Sequence, residues 1–248
     1  MGLFSFLKGN STPNVEKVNP IVVDMHSHLI YDVDDGSQSL EESIELIENI
    51  QKFGYEKIIT TPHIMNDFYK NSKDTLFPKR DIIKKKLIEN NIDIPFEVAA
   101  EYYLDDGFLS KFNDKDNVLL LEDKFILVET SYINETVNLN TVVFEILSSG
   151  ITPILAHPER YTYMYDDFEK YQEIYERGVK FQLNLNSLSG YYSKGAKDIA
   201  TKLIKNNMVD FVGTDCHGQK HLDTLEKSIS TKQFKKLLDL DLQNNSLL

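Results

Sequence analysis

The sequence lacks the features of several large protein classes. It has one cysteine among 248 residues, so an intramolecular disulfide is excluded and a reducing compartment, the cytoplasm, is expected. Its apolar runs are too short to span a bilayer. Basic residues are scarce, with 27 Lys and Arg against 39 Asp and Glu and a formal net charge of -12. Because nonspecific phosphate binding depends on clustered Lys and Arg, we expect no nucleic-acid partner.

Several catalytic motifs are also absent. There is no Gly-x-Gly-x-x-Gly turn or Walker loop for a nucleotide, no Gly-x-Ser-x-Gly elbow and no His-Glu-x-x-His helix. A cysteine phosphatase needs a cysteine and an arginine separated by five residues in one anion-binding loop. At that spacing Cys216 is followed by Leu222, so the cysteine mechanism is excluded.

Runs of β-branched and apolar residues alternate with helix-like segments along the chain. Seven runs predict strands, at residues 21–26, 57–61, 96–102, 125–130, 152–157, 180–185 and 210–214. Their near-continuous hydrophobicity predicts burial on both faces, which is typical of parallel sheets. The alternation, without a nucleotide-binding turn, favours a β/α barrel of the TIM type over an open sheet. We expect a single α/β domain at residues 21–248, after a flexible lead-in at residues 1–20.

The clearest helix follows Ser39, because Ser39-Leu-Glu-Glu42 matches a capping box. Apolar residues continue at helical intervals from Leu40 to Ile50, and Gly54 supplies a C-terminal stop. Further helices are predicted at residues 78–89, 135–149, 167–177, 196–206 and 222–238.

Five of the six histidines lie in short polar clusters at the ends of predicted strands, at residues 24–28, 60–63, 156–160 and 213–217. His26 and His28 are two positions apart, so an extended backbone puts both rings on one face, where they can hold one metal ion. The alternative is a pair of hydrogen-bonded surface histidines. Asp24 shares that face and is expected to bind the far ring nitrogen of a ligand.

The last cluster follows the same spacing rule. Asp215 and His217 point together, whereas Cys216 points away and is expected to be a small packed residue. His221 lies outside every cluster and is expected to be exposed.

Carboxylates are needed beside the histidines to neutralise several divalent ions. Glu101 and Glu129 each follow an apolar run, where an unpaired carboxylate is costly to bury. Asp35 lies in Asp32-Val-Asp-Asp-Gly36, for which a solvated turn is the alternative interpretation. Convergence at one edge of a barrel favours the metal-binding interpretation.

Two further features point to the substrate. Arg160 follows His157 closely, and a guanidinium offers bidentate hydrogen bonds to phosphate oxygens, which suggests a phosphate ester. A surface arginine paired with Glu159 or Asp166 is the alternative. Six tyrosines that follow strands are candidates to line a substrate cleft, with packing as the alternative: Tyr102, Tyr103, Tyr161, Tyr163, Tyr191 and Tyr192.

Taken together, seven strings resemble the PHP (polymerase and histidinol phosphatase) metallohydrolases, and within them the bacterial manganese-dependent tyrosine phosphatases of capsule and exopolysaccharide synthesis. They run in family order over residues 21–217. The strings are Asp24-Met-His-Ser-His28, Asp32-Val-Asp-Asp-Gly36, Thr60-Thr-Pro-His63, Ala100-Glu-Tyr-Tyr103, Leu127-Val-Glu129, Ala156-His-Pro-Glu-Arg160 and Gly213-Thr-Asp-Cys-His217.

The resemblance implies a distorted seven-stranded β/α barrel that binds two or three divalent ions, Mn²⁺ first, with Fe and Zn as alternatives. It implies Glu101 as the bridging carboxylate and Arg160, Glu129 and Asp215 as catalytic residues, with a metal-activated water attacking phosphotyrosine. Lys220 stands where relatives often carry a second arginine. The implied metal ligands are His26, His28, Asp35, His63, Glu101, Glu129, His157, Asp215 and His217.

The resemblance also implies a partner. It is a phosphotyrosine-containing protein, the tail of a bacterial membrane tyrosine kinase that controls polysaccharide export. Three alternatives remain open: a small-molecule phosphatase of the histidinol-phosphate type, a PHP exonuclease, which the acidic balance disfavours, and a catalytically silent scaffold whose metal is structural.

Overall fold

A computed structural model describes residues 19–136 and 138–248. Except for Asn19 and Pro20, the lead-in expected at residues 1–20 lies outside the described residues. The described residues contain nine short strands and eight α-helices. The strands are β1 (Val23–Asp24), β2 (Lys57–Thr60), β3 (His63–Ile64), β4 (Phe96–Val98), β5 (Glu101–Tyr103), β6 (Phe125–Glu129), β7 (Thr152–Ala156), β8 (Lys180–Asn184) and β9 (Phe211–Gly213).

The helices are α1 (Leu40–Lys52), α2 (Lys73–Glu89), α3 (Phe108–Asn113), α4 (Leu139–Ser148), α5 (Phe168–Glu176), α6 (Lys194–Lys205), α7 (Gln219–Ile229) and α8 (Lys232–Leu237). Short 3-10 turns follow β7, β8 and α8, at Pro158–Arg160, Thr162–Met164, Leu185–Ser189 and Asn244–Leu247. No helix in the described part of the chain is both long enough and apolar enough to cross a lipid bilayer.

The strands pair in parallel in two sheets. One has the order β1-β2-β4 and the other the order β3-β5-β6-β7-β8-β9, which makes a mixed α/β half-barrel in one domain. The parallel pairing is as predicted, and among the described residues it is divided between two sheets with nine short strands in all. Each of the seven predicted runs contributes at least one strand.

A proline separates β2 from β3. Pro62 has no N–H to donate to a sheet ladder, so β2 ends at Thr60 and β3 begins at His63. The neighbouring run at residues 96–102 breaks at the same level into β4 and β5. Backbone hydrogen bonds from Ala99 N to Thr60 O (2.9 Å) and from Glu101 N to Pro62 O (3.2 Å) still connect the two levels.

The two sheets also meet at their other margin. A parallel bridge joins Ser27 to Cys216, and His28 N donates to Cys216 O at 2.9 Å. Asn244, in the C-terminal 3-10 turn, donates through Nδ2 to the carbonyls of Val23 (3.0 Å) and Val212 (2.8 Å). The first and last strands are therefore fixed side by side.

The helices follow their sequence signals closely where capping residues are clear. Ser39 accepts a hydrogen bond from Glu42 N at the start of α1, and Gly54 has the positive φ of a helix C-terminus. The helix expected at residues 78–89 begins earlier, at Lys73, where Ser72 N donates to Thr75 Oγ1 at 2.9 Å, and Pro78 lies inside the helix rather than at its start. The helix expected at residues 222–238 is two helices, because Thr231 caps Phe234 N and starts α8.

Apolar side chains from both sheets pack together in the interior of the half-barrel that the strands form. Val23, Ile59, Leu127, Ile154 and Phe211 belong to this interior cluster, and all are buried. A larger apolar cluster fills the space between the strands and the surrounding helices. The carboxyl ends of the strands therefore open above a dry interior, at a single edge.

Candidate metal centre

A cleft of about 590 Å³ opens at the carboxyl ends of the strands. It is lined by Arg160 and by seven of the nine predicted ligands, namely Asp35, His63, Glu101, Glu129, His157, Asp215 and His217. The other two, His26 and His28, lie at its base and are fully buried. The structure thus brings all nine predicted ligands and Arg160 to one place.

Strand register explains part of this convergence. His63 in β3 is the register partner of Glu101 in β5, and Glu129 at the end of β6 is the partner of Tyr103. His157 follows β7, and Asp215 follows β9. In parallel neighbours such residues share one edge, so a helical crossover after each strand returns the chain to the same mouth.

Two of the site residues have left-handed backbone conformations. His157 has a φ of 35° and Asp215 a φ of 49°, a region that costs non-glycine residues about 1–3 kcal/mol. Asp and His tolerate this region better than branched residues do. Gly213 lies close to His26 for a steric reason. A Cβ atom at position 213 would lie only 2.6 Å from Cβ of His26, so a larger residue would clash there. The chain is bent sharply where the polar side chains enter the cleft.

The base of the cleft is a tight contact between two imidazoles and one carboxylate. Nε2 of His26 and Nε2 of His28 are 3.3 Å apart. Oε2 of Glu101 lies 3.3 Å from the first nitrogen and 3.4 Å from the second. All three side chains are fully buried. We call His26, His28 and Glu101 the floor of the site.

Glu101 also contacts two histidines above the floor. Its Oε2 is 3.1 Å from Nδ1 of His63, and its Oε1 is 2.9 Å from Nε2 of His157. Glu129 lies on the same side, with Oε1 3.1 Å from Nδ1 of His63. One carboxylate therefore reaches four imidazoles, which is the arrangement expected of a group shared between neighbouring ions.

The outer part of the site is more open. Oδ1 of Asp35 is 3.5 Å from Nε2 of His63 and 3.5 Å from Nε2 of His217. The side chain of Asp35 is 56% exposed and that of His217 is 18% exposed. We call Asp35 and His217 the rim of the site. Asp35 is half-exposed, as expected if residues 32–36 form a solvated turn, but its carboxylate also faces two imidazoles.

Three overlapping groups have ligand atoms close enough to hold a cation each. Within a group, one ligand atom per residue lies within 4.8 Å of all the others. His28, His63 and Glu101 each belong to two groups, so the sites are adjacent and share ligands. The groups are His28, Asp35, His63 and His217; His26, His28 and Glu101; and His63, Glu101 and Glu129.

The far ring nitrogens of the floor histidines are held by residues that the sequence did not single out for this task. Nδ1 of His26 is 2.7 Å from Oε1 of Gln182, and Nδ1 of His28 is 2.8 Å from Oδ2 of Asp34. An Nδ1–H that donates there leaves each Nε2 lone pair free for a ligand role.

The expectation for Asp24 is wrong. Its carboxylate accepts hydrogen bonds from Thr214 N (3.0 Å) and Thr214 Oγ1 (2.7 Å), and binds no histidine ring. The extended segment ends before His26, so Asp24 belongs to β1 and serves the neighbouring strand. Burial raises its pKa to about 6, although the bonds from Thr214 oppose that rise.

Opposite charges control protonation in the cluster. Burial disfavours a charge on His63, but the carboxylates of Glu101 and Glu129 outweigh burial and raise its pKa to about 9. Burial likewise disfavours ionised Glu101, but the neighbouring imidazoles hold its pKa well below the usual range. The pKa of Asp215 is lowered in the same way, chiefly by His217 once burial is overcome. The carboxylates are therefore ionised and available as ligands.

The donor set fits divalent cations. Nδ1 of His63 is buried and has no hydrogen-bond partner, although two carboxylate oxygens lie 3.1 Å away. Imidazole nitrogens and carboxylate oxygens that converge without hydrogen-bond alignment are suited to a shared cation. Mixed nitrogen and oxygen sites of this kind suit Mn, Fe and Zn.

Arg160 lies at the side of this cluster. Its Nη1 donates to Oδ2 of Asp215 at 3.0 Å, and its side chain is 21% exposed in the cleft. Asp215 Oδ1 faces the floor, 3.4 Å from Nε2 of His26. The alternative pairing of Arg160 with Glu159 or Asp166 does not occur: Glu159 instead accepts from Asn184 N and Ser187 Oγ, at 3.0 Å and 2.6 Å.

Of the six candidate tyrosines, two line the cleft: Tyr103 and Tyr192. Tyr161 is buried, and its hydroxyl donates to Ala156 O at 2.9 Å, so it packs as the alternative predicted. Two tyrosines that line the cleft, Tyr69 and Tyr132, were missed. They lie in loops, where neither strand spacing nor hydrophobic periodicity gives a signal.

The C-terminal cluster has one correction. His221 lines the cleft rather than facing solvent freely, with its ring centroid 5.3 Å from that of His217. Lys220 is exposed, lies outside the cleft lining, and places Nζ 5.8 Å from the Tyr191 ring centroid. The first turn of α7 therefore turns His221, not Lys220, towards the site. Cys216 is fully buried, as expected for a packed residue.

The described residues form a parallel α/β domain in which three overlapping imidazole and carboxylate groups, suited to divalent cations, lie beside an arginine in an open cleft. The chain belongs to the CpsB/CapC family, described as "Capsular polysaccharide synthesis, CpsB/CapC", whose profile matches residues 22–238.

Relatives in this family are named as enzymes. The chain is 31% identical over 201 residues to tyrosine-protein phosphatase CpsB of Streptococcus agalactiae, covering 79% of this chain and 83% of the relative. It is 28% identical over 200 residues to tyrosine-protein phosphatase YwqE of Bacillus subtilis, covering 80% and 78%.

The fold of the chain is also similar to those of solved structures. A structure from a study of YwqE of Bacillus subtilis and CpsB of Streptococcus pneumoniae, described as "unique metal-dependent tyrosine phosphatases", aligns with a TM-score of 0.79 at 25% identity. The alignment covers 91% of this chain and 94% of that chain. Histidinol phosphate phosphatase of Lactococcus lactis shares the fold alone, with a TM-score of 0.50, 14% identity, and coverage of 84% and 91%.

Proposed function

We propose that this chain is a metal-dependent protein-tyrosine phosphatase. The observation that carries the proposal is the set of three ligand groups that share His28, His63 and Glu101 beside Arg160 in one cleft. The family relationship supports the same reaction, because relatives covering most of the chain are named tyrosine-protein phosphatases.

The proposed cofactor is a set of two or three divalent ions, Mn²⁺ first, with Fe and Zn as alternatives. Glu101 is the proposed shared carboxylate, because its two oxygens face four imidazoles. Gln182 and Asp34 would fix the rings of His26 and His28 for binding. The proposed ligands are His26, His28, Asp35, His63, Glu101, Glu129, His157, Asp215 and His217.

When bound, such ions supply Lewis-acid stabilisation of phosphoryl oxygens and a water of lowered pKa. The chain's own residues orient the substrate. Arg160 would bind phosphoryl oxygens and offset the charge that develops on them. Glu129 and Asp215 would each present one oxygen to the cluster and keep the other bonded to protein donors. A phenolate leaves readily, so no strong proton donor is required beside the leaving oxygen.

The shape of the cleft suits an aromatic ester. Tyr69, Tyr103, Tyr132 and Ile133 line its sides, and the space opens to solvent. A phosphorylated tyrosine side chain on a flexible protein segment can enter such a cleft, with its ring against the tyrosines that line it. We therefore assign a phosphotyrosine-containing protein as substrate. The specific partner proposed is the tail of a bacterial membrane tyrosine kinase that controls polysaccharide export, and the proposed location is the cytoplasm.

The proposal extends to the architecture. The two sheets, joined through Pro62 and through the bridge from Ser27 to Cys216, are proposed to act as one distorted seven-stranded barrel of the PHP type. The domain would occupy residues 21–248, with residues 1–20 as a lead-in. Such a barrel explains why the ligands come from both sheets and yet meet at one mouth.

The test of the function is turnover of a phosphotyrosine peptide by purified protein. We expect activity to disappear after EDTA treatment, to return with Mn²⁺, and to be absent in His26→Ala at every Mn²⁺ concentration. Activity that is indifferent to EDTA and retained in His26→Ala would remove the metal mechanism.

A substrate comparison separates the remaining assignments. We expect kcat/KM for a phosphotyrosine peptide to exceed that for the phosphoserine peptide of the same sequence and that for histidinol phosphate. A higher kcat/KM for histidinol phosphate would assign a small-molecule phosphatase instead. Absence of turnover of all three by fully metal-loaded protein would assign a scaffold.

A further inference from the structure

The guanidinium of Arg160 lies between two tyrosine rings. Its Cζ is 4.4 Å from the ring centroid of Tyr132 and 4.2 Å from that of Tyr192. Both distances are within the range in which a ring face attracts a cation. An arginine side chain has several rotatable bonds, so a guanidinium that contacts two aromatic rings has lost part of its rotational freedom before a ligand arrives.

The same two tyrosines are tied to the carboxylates of the site. Tyr132 Oη donates to Oε2 of Glu129 at 3.3 Å, and Tyr192 Oη donates to Oδ2 of Asp215 at 3.0 Å. A phenol is protonated at neutral pH and a carboxylate only accepts, so both hydroxyls act as donors in these contacts. The ring faces and the hydroxyls of these tyrosines therefore act on different partners.

Asp215 completes this arrangement. Its Oδ2 accepts from Arg160 Nη1 (3.0 Å), from Tyr192 (3.0 Å) and from Asn184 Nδ2 (2.6 Å), while Oδ1 faces the floor. Within residues 19–136 and 138–248, the hydrogen bond of the guanidinium is to Asp215 through one nitrogen. Other N–H donors of Arg160 remain for an anion, in a plane fixed by the two rings.

We propose that Tyr132 and Tyr192 form an aromatic clamp that positions Arg160 for phosphate binding. This inference rests on the proposed function, in which Arg160 contacts the phosphoryl group. The two tyrosines act through Arg160 and are positioning residues. Their rings hold the plane of the guanidinium, and their hydroxyls fix the rings to Glu129 and Asp215. Without the rings, the guanidinium would be free to rotate away from the cleft about its own side-chain torsions.

The first test separates the contribution of each tyrosine ring from that of its hydroxyl group. Tyr192→Leu and Tyr132→Leu remove the ring, whereas Tyr192→Phe and Tyr132→Phe remove only the hydroxyl. In Mn²⁺-loaded protein, we expect each Leu variant to raise the KM for p-nitrophenyl phosphate and the Kd for inorganic phosphate by about 5- to 30-fold, the range of a desolvated cation–π contact. Each Phe variant is expected to restore most of the affinity. The metal content per chain should stay at the wild-type value in all four.

A double-mutant cycle tests whether the rings act through Arg160. In an Arg160→Ala background, Tyr192→Leu should have no further effect on phosphate Kd, because the group that the ring holds is absent. The matched control is Phe77→Leu, which removes a ring 4.1 Å from the guanidinium carbon of Arg80 on α2, away from the cleft. We expect that control to leave KM and phosphate Kd unchanged.

Three results would overturn the clamp: equal losses in Leu and Phe variants, full additivity with Arg160→Ala, or unchanged phosphate Kd in the Leu variants. These results can be distinguished from a failure of the proposed phosphatase function. Calorimetric binding of inorganic phosphate needs no turnover, so the clamp can be scored even if no phosphotyrosine is hydrolysed. Conversely, rapid phosphotyrosine turnover with uncoupled tyrosines would retain the function and reject the clamp.

Discussion

The floor and the rim of the cleft use the same ligand types in different surroundings. Glu101 in the floor is fully buried and lies within 3.4 Å of both floor histidines, and those histidines are braced from behind. Asp35 in the rim is 56% exposed and meets its two histidines at 3.5 Å. Charges in water-free surroundings interact more strongly than charges that water screens. The floor should therefore determine whether ions bind, and the rim should adjust how the outermost ion is held.

Glu101→Gln is the largest expected disruption of the floor. Glutamine keeps the shape but removes the charge that faces four imidazoles, so we expect metal binding to fail and kcat/KM to fall by about 10³-fold. Metal content by mass spectrometry and phosphotyrosine kinetics measure the two effects.

The matched control for this change is Glu97→Gln in β4. Glu97 is half-exposed and pairs with Lys57 at 3.3 Å, away from the cleft. We expect wild-type metal content and activity from this variant. Normal metal loading in Glu101→Gln would contradict the role given to the floor.

Bracing of the floor is tested by Asp34→Asn. The variant weakens the contact with Nδ1 of His28. We expect a loss in Mn²⁺ affinity of about 10- to 100-fold, the range for residues that hydrogen-bond to metal ligands. Titration of the metal-free protein with Mn²⁺, followed by phosphotyrosine turnover, measures this loss. Asp32→Asn in the same turn is the control, because Asp32 is 79% exposed and contacts Lys79. Equal losses in the two variants would show that the turn, and not the brace, matters.

The rim is tested by Asp35→Asn. We expect a decrease in kcat/KM of about fivefold or less, together with an affinity for the outermost ion that is weaker by about the same factor, because an exposed charge pair is worth up to about 1 kcal/mol. Lys220→Ala, an exposed change beyond the cleft lining, should alter neither quantity. A loss in Asp35→Asn as large as that in Glu101→Gln would remove the distinction between floor and rim.

The last effect is on stability rather than activity, and it concerns His63, which joins floor to rim. Its pKa rises from 6.5 to about 9 in the folded, metal-free protein. The stabilisation from its proton is fully present below pH 6.5 and is lost as pH rises through about 9. We therefore expect the free energy of unfolding of EDTA-treated protein, measured in urea, to fall across this interval.

Two comparisons make the pH test specific to His63. The fall in the free energy of unfolding should be smaller in His63→Gln. It should be absent in Mn²⁺-loaded protein, because the metal replaces the proton on the imidazole. A metal-free stability that stays level or rises between pH 6.5 and pH 9 would contradict the assignment.

The fold was predictable where local signals agree with tertiary packing. The capping box at Ser39 and the apolar strand runs give α1 and the parallel sheet correctly. Strand β3 was not predicted, because the expected run ended at residue 61 and two residues carry too little pattern for detection. The break between β4 and β5 was not predicted, because the apolar pattern continues through Ala99 and Ala100. Helix α3 (Phe108–Asn113) was missed because six residues carry too little periodicity for detection.

The candidate site was predictable for residues that end strands. His157 and Asp215 follow apolar runs directly, so the parallel topology alone places them at one mouth. Gln182 points inward from the middle of β8, and Tyr132 comes from a loop, so neither has a sequence signal. Their roles depend on contacts between elements far apart in the chain, which strand spacing does not encode.

The most direct test of the central claim is anomalous X-ray scattering at the manganese edge from crystals grown with Mn²⁺. The account predicts two or three peaks within the three ligand groups, with Glu101 in contact with more than one of them. Peaks that avoid Glu101, or the absence of any peak in the cleft of a fully active enzyme, would contradict it.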